Sequence, residues 1–466
     1  MTSRLFHCRF PIVLATVLFA GCSLIPRYER PAPPLATTYP TGHMVTADRL
    51  AIPSVGWEKA FVEPELRQLI GIALENNRDL RAATLNVRRA QARFRIQRAE
   101  QWPTVNVAVT QSKQSPAFTQ NIAAYGVGLT SYEVDLFGRI DSLKQAALAN
   151  YLGAASSRQA AQISLVATVA QGYLALLADN QALSVVWEIL KAREASHALA
   201  ELKFTEGAAT AVDVRQSEWL VADARAGLAQ VERRRSQNLS ALVLVLGVPS
   251  WPEDVRIDGM PLPEEDTLLG QIPFGLPSDL LTRRPDIDAA EKQLIAANAN
   301  IGAARAAFFP RITLTGSFGR ASPDLSDLFD HATRAWSFAP QLTLPIFDFG
   351  ANRANLDVAK IDRELAVAQY EKTIQSAFKE VSDALGDKET WARELDAARA
   401  RLKASAEAHA LVALRYREGG ANYLEVLDAQ RTLLDAQQAV VHAHLASLQS
   451  TVSLYKSLGG GWSAER

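Results

Sequence analysis

The chain has 466 residues, and its 49 lysines and arginines are balanced by 50 aspartates and glutamates, for a formal net charge of −1. Because this balance creates no positive field that would attract phosphate, composition gives no support for a nucleic-acid partner. Both cysteines, Cys8 and Cys22, lie at the N-terminus, which excludes disulfides and thiolate metal sites from the rest of the chain.

Residues 1–21 are predicted to be a secretory signal peptide. Arg4 and Arg9 supply positive charge, and the apolar run that follows is too short for a permanent membrane helix. Cys22 comes next, and the stretch LFAGC resembles the lipobox of bacterial lipoproteins, which implies a covalent lipid on Cys22. Ser23, rather than Asp, follows the cysteine, which in such lipoproteins resembles the sorting signal for the outer membrane. The alternative is an ordinary signal peptide with a chance cysteine.

The mature chain is predicted to contain two copies of one unit. Phe204–Val214 and Tyr416–Val426 share a Glu-Gly turn and lie 212 residues apart, while Trp102-Pro103 matches Phe309-Pro310 at an offset of 207. Each copy carries a helix, two strands and a long helical hairpin. The predicted domains are a lipidated proline-rich arm at 22–62, repeat 1 at 63–250, a proline-rich linker at 251–276, repeat 2 at 277–458 and a tail at 459–466.

The first helix of each copy is predicted at about 63–101 and 277–308, and each ends before a proline. Four segments that alternate between apolar and polar residues follow in pairs, at 104–112, 125–134, 311–319 and 336–346. Their polar positions carry mostly Thr, Ser, Asn and Gln, and their length suits a tilted membrane strand of about 9–11 residues. The alternative is the edge of a sandwich in a soluble domain.

Two very long helices are predicted at 139–204 and 351–416, which contain no proline. At 1.5 Å per residue each would extend roughly 100 Å, a length typical of a coiled coil. Each continues past its Glu-Gly turn into a second helix, so each turn is the bend of a hairpin. The predicted seams run through Leu395, Ala398, Leu402, Ser405, His409, Val412 and Tyr416, and through Leu424, Leu427, Arg431, Leu434, Gln438, Val441, Leu445, Leu448, Val452 and Tyr455.

Four strands cannot close a membrane barrel, because bacterial barrels begin at about eight strands and an open edge in lipid leaves backbone groups unpaired. The strands must therefore be shared between chains. Two chains would give eight strands around an interior filled by side chains, and three would give twelve strands around a water-filled lumen. The pattern predicts an oligomeric conduit.

Several motifs resemble the TolC-like outer membrane factors, especially the OprM/NodT branch of lipidated efflux channels. Besides the lipobox they are LLTRRPDIDAAE, FFPRITLTGSFG, LPIFDFG and YREGGANYLEVLDAQRTLLDAQQ. The resemblance implies an α+β membrane protein: a homotrimer with a 12-stranded transmembrane β-barrel, four strands per chain, continued by a long periplasmic α-helical barrel. It also implies a location in the outer membrane of a Gram-negative bacterium. There the protein would dock to a periplasmic adaptor and an inner-membrane pump and export drugs or other small molecules across the periplasm and the outer membrane.

By the same resemblance, the periplasmic gate is expected at the second hairpin. The expected gate residues are Tyr416, Leu424, Asp428, Arg431 and Asp435. Asp428, Arg431 and Asp435 fall on one helix face, and a threefold ring of Asp428 would attract cations. On the residues alone, a surface salt bridge is the competing interpretation. The first copy has Gln216 and Trp219 at the positions aligned with Asp428 and Arg431, so gate chemistry is expected in the second hairpin only.

The turns resemble the sites on which family members seat adaptor tips. This resemblance predicts adaptor contacts at Gly207, Ala208, Gly419 and Gly420. The alternative is that these glycines only end helices. A glycine can both end a helix and contact an adaptor, because a turn without side chains permits close approach of a partner.

No enzymatic motif is evident: the sequence lacks HExxH, a P-loop and GxSxG. His442 and His444 are two residues apart and point to different helix faces, so they are a poor metal pair, and His409 is interpreted as packed or lumen-facing. Neither an enzyme nor a cofactor beyond the lipid on Cys22 is predicted. The competing functions are a coiled-coil periplasmic lipoprotein without a pore and, less favoured, a cell-envelope enzyme.

Overall fold

The structure is a computed structural model that describes residues 23–34, 56–112, 122–268, 284–323, 325–329 and 333–460. The predicted signal peptide, Cys22 and residues 461–466 lie outside the described residues. The helices are α1 (Trp57–Ala60), α2 (Pro64–Asn76), α3 (Arg78–Ala99), α4 (Arg139–Thr205), α5 (Ala211–Leu246), α6 (Glu265–Leu268), α7 (Pro285–Ala306), α8 (Ala351–Arg417) and α9 (Tyr423–Ser457). The strands are β1 (Val105–Ser112), β2 (Ile122–Val134), β3 (Arg311–Ser322) and β4 (Thr333–Thr343).

The internal repeat is visible in the helix bounds. α4 and α8 each have 67 residues and begin 212 residues apart, at Arg139 and Ala351. α3 and α7 each have 22 residues and begin 207 residues apart, at Arg78 and Pro285. The two offsets are those found in the sequence, so every residue of α4 has a counterpart in α8, and every residue of α3 has one in α7.

The chain divides into two compact units. The first comprises the described residues within 1–33, 85–156 and 288–372, and the second comprises the described residues within 34–84, 157–287 and 373–466. The first unit therefore holds the sheet, and the second holds both hairpin turns.

The helix predicted at 63–101 is broken in the structure, because Asn77 separates α2 from α3. Asn77 has an extended backbone (φ −60°, ψ 129°). Its Oδ1 accepts a hydrogen bond of 2.8 Å from the N–H of Leu80 and so caps α3, while its Nδ2 donates to the carbonyl of Val245 at 2.8 Å. Asparagine competes with the helix for backbone groups in this way, and the long-range bond to Val245 holds the break in place.

The four strands form one antiparallel sheet in the order β1-β2-β3-β4. β2 and β3 join the two repeats, with Val127 opposite Phe318. Their register shifts between Leu129 and Tyr132, where Ser131 has a positive φ of 48°. The extra residue is a β-bulge, which increases the local twist of the strand.

The apolar side chains of the outer strands are uncovered within the described chain. Val107 of β1 is 79% exposed, and Trp336 and Leu342 of β4 are 75% and 63% exposed. β1 and β4 each pair with a single strand among the described residues, so their outer edges are open. A sheet with a bare apolar face and two open edges needs lipid on the face and further strands at the edges.

In the first unit the N-terminal arm follows helix α7. The carbonyls of Leu24 and Pro26 accept hydrogen bonds from Arg305 (3.2 Å) and Asn298 (2.8 Å). Further along the arm, Tyr28 donates to Glu291 Oε1 at 3.0 Å, and Arg30 binds both carboxylate oxygens of Glu291. Glu291, Asn298 and Arg305 are seven residues apart, so the arm runs antiparallel to α7 along one face. Its first described residues lie at the end of α7 that leads into β3.

In the second unit α4 is a core helix. Val169, Tyr173 and Leu176 are fully buried there, and Phe61 meets Tyr455 edge to face with ring centroids 5.5 Å apart. Among the described residues, α4 is the helix long and apolar enough to cross a membrane by length and composition, but half of its most apolar window is buried. Contact with neighbouring helices accounts for the apolar character of that buried half.

The predicted seam of the second hairpin is correct only in part. Val441, Leu448 and Val452 of α9 are buried. Leu424, Arg431 and Gln438 are exposed in the described chain, and Val426 and Ala436 are buried near the turn instead. Close to the turn, the buried face of α9 is therefore not the face that the predicted seam follows. Such a shift is expected, because the buried face of a straight helix drifts about 20° per heptad relative to a strict seven-residue repeat.

Candidate functional site

The turns of both hairpins end their first helix in the same way. At the first turn the N–H of Gly207 bonds to the carbonyl of Phe204 (3.0 Å) and that of Ala208 to the carbonyl of Lys203 (2.7 Å). At the second, Gly419 bonds to Tyr416 (3.2 Å) and Gly420 to Arg415 (2.8 Å). Gly207 and Gly419 both have φ +75°. This is the Schellman motif, which favours glycine because a side chain is strained at positive φ.

Both turns then begin the second helix with a capping box. Thr210 Oγ1 accepts from the N–H of Asp213 (3.3 Å), and Asp213 accepts from the N–H of Thr210 (2.8 Å). Asn422 and Glu425 repeat this arrangement at 2.9 and 3.2 Å. The backbone and then the hydroxyl of Thr210 lower the pKa of the Asp213 carboxyl. The repeated sequence is therefore a repeated pair of helix caps.

The four residues predicted to contact an adaptor lie on the surface of these turns. Gly207, Ala208, Gly419 and Gly420 are all exposed. Apart from the glycine and its two chain neighbours, no described residue has an atom within 4 Å of the position that a Cβ would occupy on Gly207 or Gly419. The glycines thus cap helices and also leave the backbone open to close approach by a partner. This geometry is compatible with an adaptor contact, which stays a prediction.

The predicted gate residues of α9 share one exposed face. Leu424, Asp428, Arg431 and Asp435 follow one another at intervals of four, three and four residues, and all four are exposed. Asp428 Oδ1 lies 3.5 Å from Arg431 Nη2, with side chains 70% and 72% exposed. An ion pair this exposed contributes roughly 0–1 kcal/mol to stability. The face is therefore free to meet water, a ligand or another chain rather than to hold the hairpin together.

Tyr416 is brought into contact with Lys203, a residue that the sequence did not single out. Lys203 Nζ lies 3.5 Å from Tyr416 Oη and 5.2 Å from the centroid of its ring. This contact joins the last turn of α4 to the last turn of α8. From the sequence alone, a lysine in the last turn of a helix indicates a favourable interaction with the helix dipole. It does not reveal that the partner is Tyr416, 213 residues away.

Arg415 is a second residue that sequence reasoning missed. Its Nη2 donates to the carbonyl of Gly420 at 2.8 Å, and its Nη1 lies 3.7 Å from Glu425 Oε2. Arg415 therefore ties the end of α8 to the start of α9 across the turn. In the sequence, the signal for this contact is a basic residue four positions before the turn glycine Gly419. The first turn has Lys203 at the aligned position, and that lysine reaches the other hairpin instead.

The histidines do not form a metal site in the part of the chain that the structure describes, where no group of three or more potential metal ligands occurs. The rings of His442 and Trp391 make a T-shaped contact, with their centroids 5.7 Å apart. His444 is buried, and burial lowers its pKa. The Nε2 atom of His409 is buried without a hydrogen-bond partner among the described residues, which makes His409 a packed residue.

Comparison with known proteins identifies what this arrangement is similar to. A protein-family profile described as outer membrane efflux protein matches residues 69–248 and 276–460. The outer membrane protein OprJ of Pseudomonas aeruginosa is 44% identical over 464 residues, covering 97% of this chain and 96% of OprJ. The probable efflux pump outer membrane protein TtgC of Pseudomonas putida is 42% identical over 463 residues, covering 97% of this chain and 95% of TtgC.

Solved structures give the same result for the fold. The open state of the MtrE outer membrane channel of Neisseria gonorrhoeae superposes with a TM-score of 0.85 at 39% identity, covering 94% of this chain and 98% of MtrE. A membrane protein from Pseudomonas aeruginosa superposes with a TM-score of 0.88 at 43% identity, covering 96% and 99%. The fold class predicted from the sequence is confirmed by this likeness.

Proposed function

This chain belongs to the outer membrane efflux protein family, and we propose that three copies of it form a passive duct for small molecules across the outer membrane. The observation that carries the proposal is the four-stranded sheet with an uncovered apolar face and two open edges. Three such sheets joined edge to edge give twelve strands, which is wide enough for a water-filled lumen. The prediction that the protein is not an enzyme agrees with the family, whose members are transport ducts.

The duct is closed at the hairpin turns of the second repeat. Leu424, Asp428 and Arg431 lie on an exposed face in the first three turns of α9, so in a threefold assembly each contributes three side chains to one ring. A ring that carries Asp428 and Arg431 presents both charges at a constriction. Tyr416 stands at the neighbouring end of α8, where Lys203 links it to the first hairpin.

The partners proposed for this duct are a periplasmic adaptor, seated on the two turns, and an inner-membrane pump that supplies cargo and energy. TtgC and several other relatives are named as outer membrane proteins of efflux pumps. Gly207, Ala208, Gly419 and Gly420 offer exposed backbone without bulky side chains, which suits the tip of a partner helix. A lipid on Cys22 anchors the arm, whose residues Leu24 to Arg30 are held on α7.

Planar-bilayer recording of the purified full-length protein tests the duct. We expect stepwise single-channel currents from a species that native mass spectrometry shows to be a trimer. A folded trimer that gives no current at any voltage supports the pore-free lipoprotein instead. Adaptor binding is tested separately, by surface plasmon resonance with a purified periplasmic adaptor protein.

A further inference from the structure

The two repeats meet through an antiparallel contact between α4 and α7, within the first unit. A Cβ on Gly153 would lie 3.2 Å from Cβ of Lys292, and the hydroxyl of Ser156 donates to Asp288 at 2.5 Å. Later residues of α4 thus meet earlier residues of α7. These two contacts define the register of the helix pair.

The middle of this contact is made of alanines. Ala146 and Ala149 of α4 pack with Ala296 and Ala299 of α7 in one cluster, in which each is at most 4% exposed. Small side chains let two helices approach closely, toward the lower end of the usual interaxial range of about 8–10 Å. Repeat 1 is therefore joined to repeat 2 by a narrow, fully covered interface.

The repeat supplies a second pair of helices with the same positions. Because α8 corresponds to α4 at an offset of 212, the counterparts of Ala146, Ala149 and Gly153 are Val358, Ile361 and Leu365. Because α3 corresponds to α7 at an offset of 207, the counterparts of Ala299, Ala296 and Lys292 are Ala92, Arg89 and Leu85.

The counterparts are uncovered in the single chain. Val358, Ile361 and Leu365 are 55%, 54% and 63% exposed, and Leu85 is 51% exposed. Ala92 and Arg89 are exposed as well. Each face that is buried in α4 and α7 is thus open in α8 and α3, where the side chains at most positions are also larger. Aliphatic residues at intervals of three and four on an open helix face indicate a packing surface.

We propose that this face of α8 docks onto α3 of a second copy of the same chain, in the register that α4 and α7 use within one chain. Leu365 then meets Leu85 of the second copy, Val358 meets its Ala92, and Ile361 lies along the aliphatic stem of its Arg89. The occupant is a second copy because repeats 1 and 2 already meet through the equivalent positions within one chain. A head-to-tail contact of this kind forms a ring when its rotation closes, as it does in the proposed trimer. The inference rests on the proposed trimer and adds the residues that join its subunits.

Two leucines take the place of a glycine and a lysine in the contact, so the helices are farther apart between subunits than within a subunit. The six repeats of the ring are therefore joined by alternating narrow and wide helix contacts. The wide contacts are the places where subunits can shift against each other without opening an alanine-lined core.

Cysteine cross-linking in the full-length protein tests the register. The natural cysteines are Cys8 and Cys22, so a background with both Cys8→Ser and Cys22→Ser leaves the chain without another cysteine. In that background we expect Leu85→Cys with Leu365→Cys to form, on mild oxidation, covalent dimers and trimers that reducing agent dissolves. Val358→Cys with Ala92→Cys is a second pair in register and does not remove either leucine.

The matched control is Leu365→Cys with Ala92→Cys, whose positions differ from register by seven residues, about 10 Å along a helix. This pair is expected to stay unlinked. A trimer by native mass spectrometry in which neither in-register pair links, or in which the control links equally, overturns the proposed register while leaving the duct intact. A full-length protein with its natural cysteines that is monomeric and gives no current overturns the proposed duct itself.

Discussion

Lys203 of the first hairpin lies against Tyr416 of the second, with Nζ 3.5 Å from Oη and 5.2 Å from the ring centroid. Each residue lies in the last turn of its helix, just before a glycine in the left-handed region. The ends of two long hairpins are thus linked by a cation and an aromatic ring, a contact of modest strength that a small input of free energy can break.

Replacing Lys203 is expected to loosen the closed tips. Lys203→Met keeps the length of the side chain and removes the charge, so the loss of about 0.5–1 kcal/mol shifts the balance between closed and open tips roughly two- to fivefold. Single-channel recording measures the rise in open probability. Lys191→Met, which changes an exposed lysine three turns earlier on α4, is the matched control. Equal currents from both variants would remove Lys203 from the gate.

Asp428→Ala and Arg431→Ala are expected to raise the conductance of the isolated channel if the face of α9 closes it. Because the Asp428–Arg431 pair is exposed, thermal stability is expected to change by less than about 1 kcal/mol, so the two readouts separate gating from folding. Gln216 holds the position aligned with Asp428, and Gln216→Ala serves as the control in the first hairpin. Conductance that stays at the parent value in both gate variants would assign the pair to the surface.

Alanine at the turn glycines is expected to strain the backbone. Gly207→Ala and Gly419→Ala place a Cβ on a residue with φ +75°. We expect each change to lower the local stability of its turn by about 1–2 kcal/mol. Hydrogen exchange of the turn amides is expected to accelerate, and adaptor binding to weaken. Gly227→Ala, inside α5 with open space around its Cβ, is the contrasting change, and is expected to stabilise α5 by about 0.5–1 kcal/mol. Unaltered exchange at both turns would contradict this account.

His444 is expected to make the second unit less stable in mild acid. Burial lowers its pKa in the folded chain below the ordinary value of 6.5. The unfolded chain therefore binds more protons between the two values, and stability falls as the pH drops through 6.5 toward the lowered pKa. His444→Gln, which cannot titrate, is expected to flatten the dependence of the melting temperature on pH from 7.5 to about 5.5. His197→Gln is the comparison, because His197 is less buried. A parallel pH profile for parent and His444→Gln would refute the assignment.

Cys22→Ser is expected to abolish acylation. Intact-mass measurement of the mature parent is expected to show the added lipid, and the variant to lack it. The arm is expected to stay on α7 in the variant, because Arg30, Asn298 and Arg305 hold it independently of the lipid. Limited proteolysis between residues 23 and 34 measures this. A parent whose mass carries no lipid contradicts the lipobox interpretation.

The sequence was sufficient for the large elements. The absence of proline from 139–204 and 351–416 predicted helices that the structure gives as Arg139–Thr205 and Ala351–Arg417. Alternating residues predicted the four strands, because a strand with one apolar face shows period two regardless of its neighbours. The break at Asn77 was not predicted, because it depends on a hydrogen bond to Val245, 168 residues away.

The candidate site was predictable as a helix face and a pair of turns, but its contacts were not. Glycine, an N-cap residue and an acidic residue three positions later are local signals, so the matching turns at Gly207 and Gly419 follow from the sequence alone. Only the tertiary structure placed Lys203 against Tyr416 and left Leu85 and Leu365 uncovered while their counterparts Lys292 and Gly153 meet. The reason is physical: caps and periodicity arise within a few residues, whereas the pairing of distant helices is decided by how their side chains fit together.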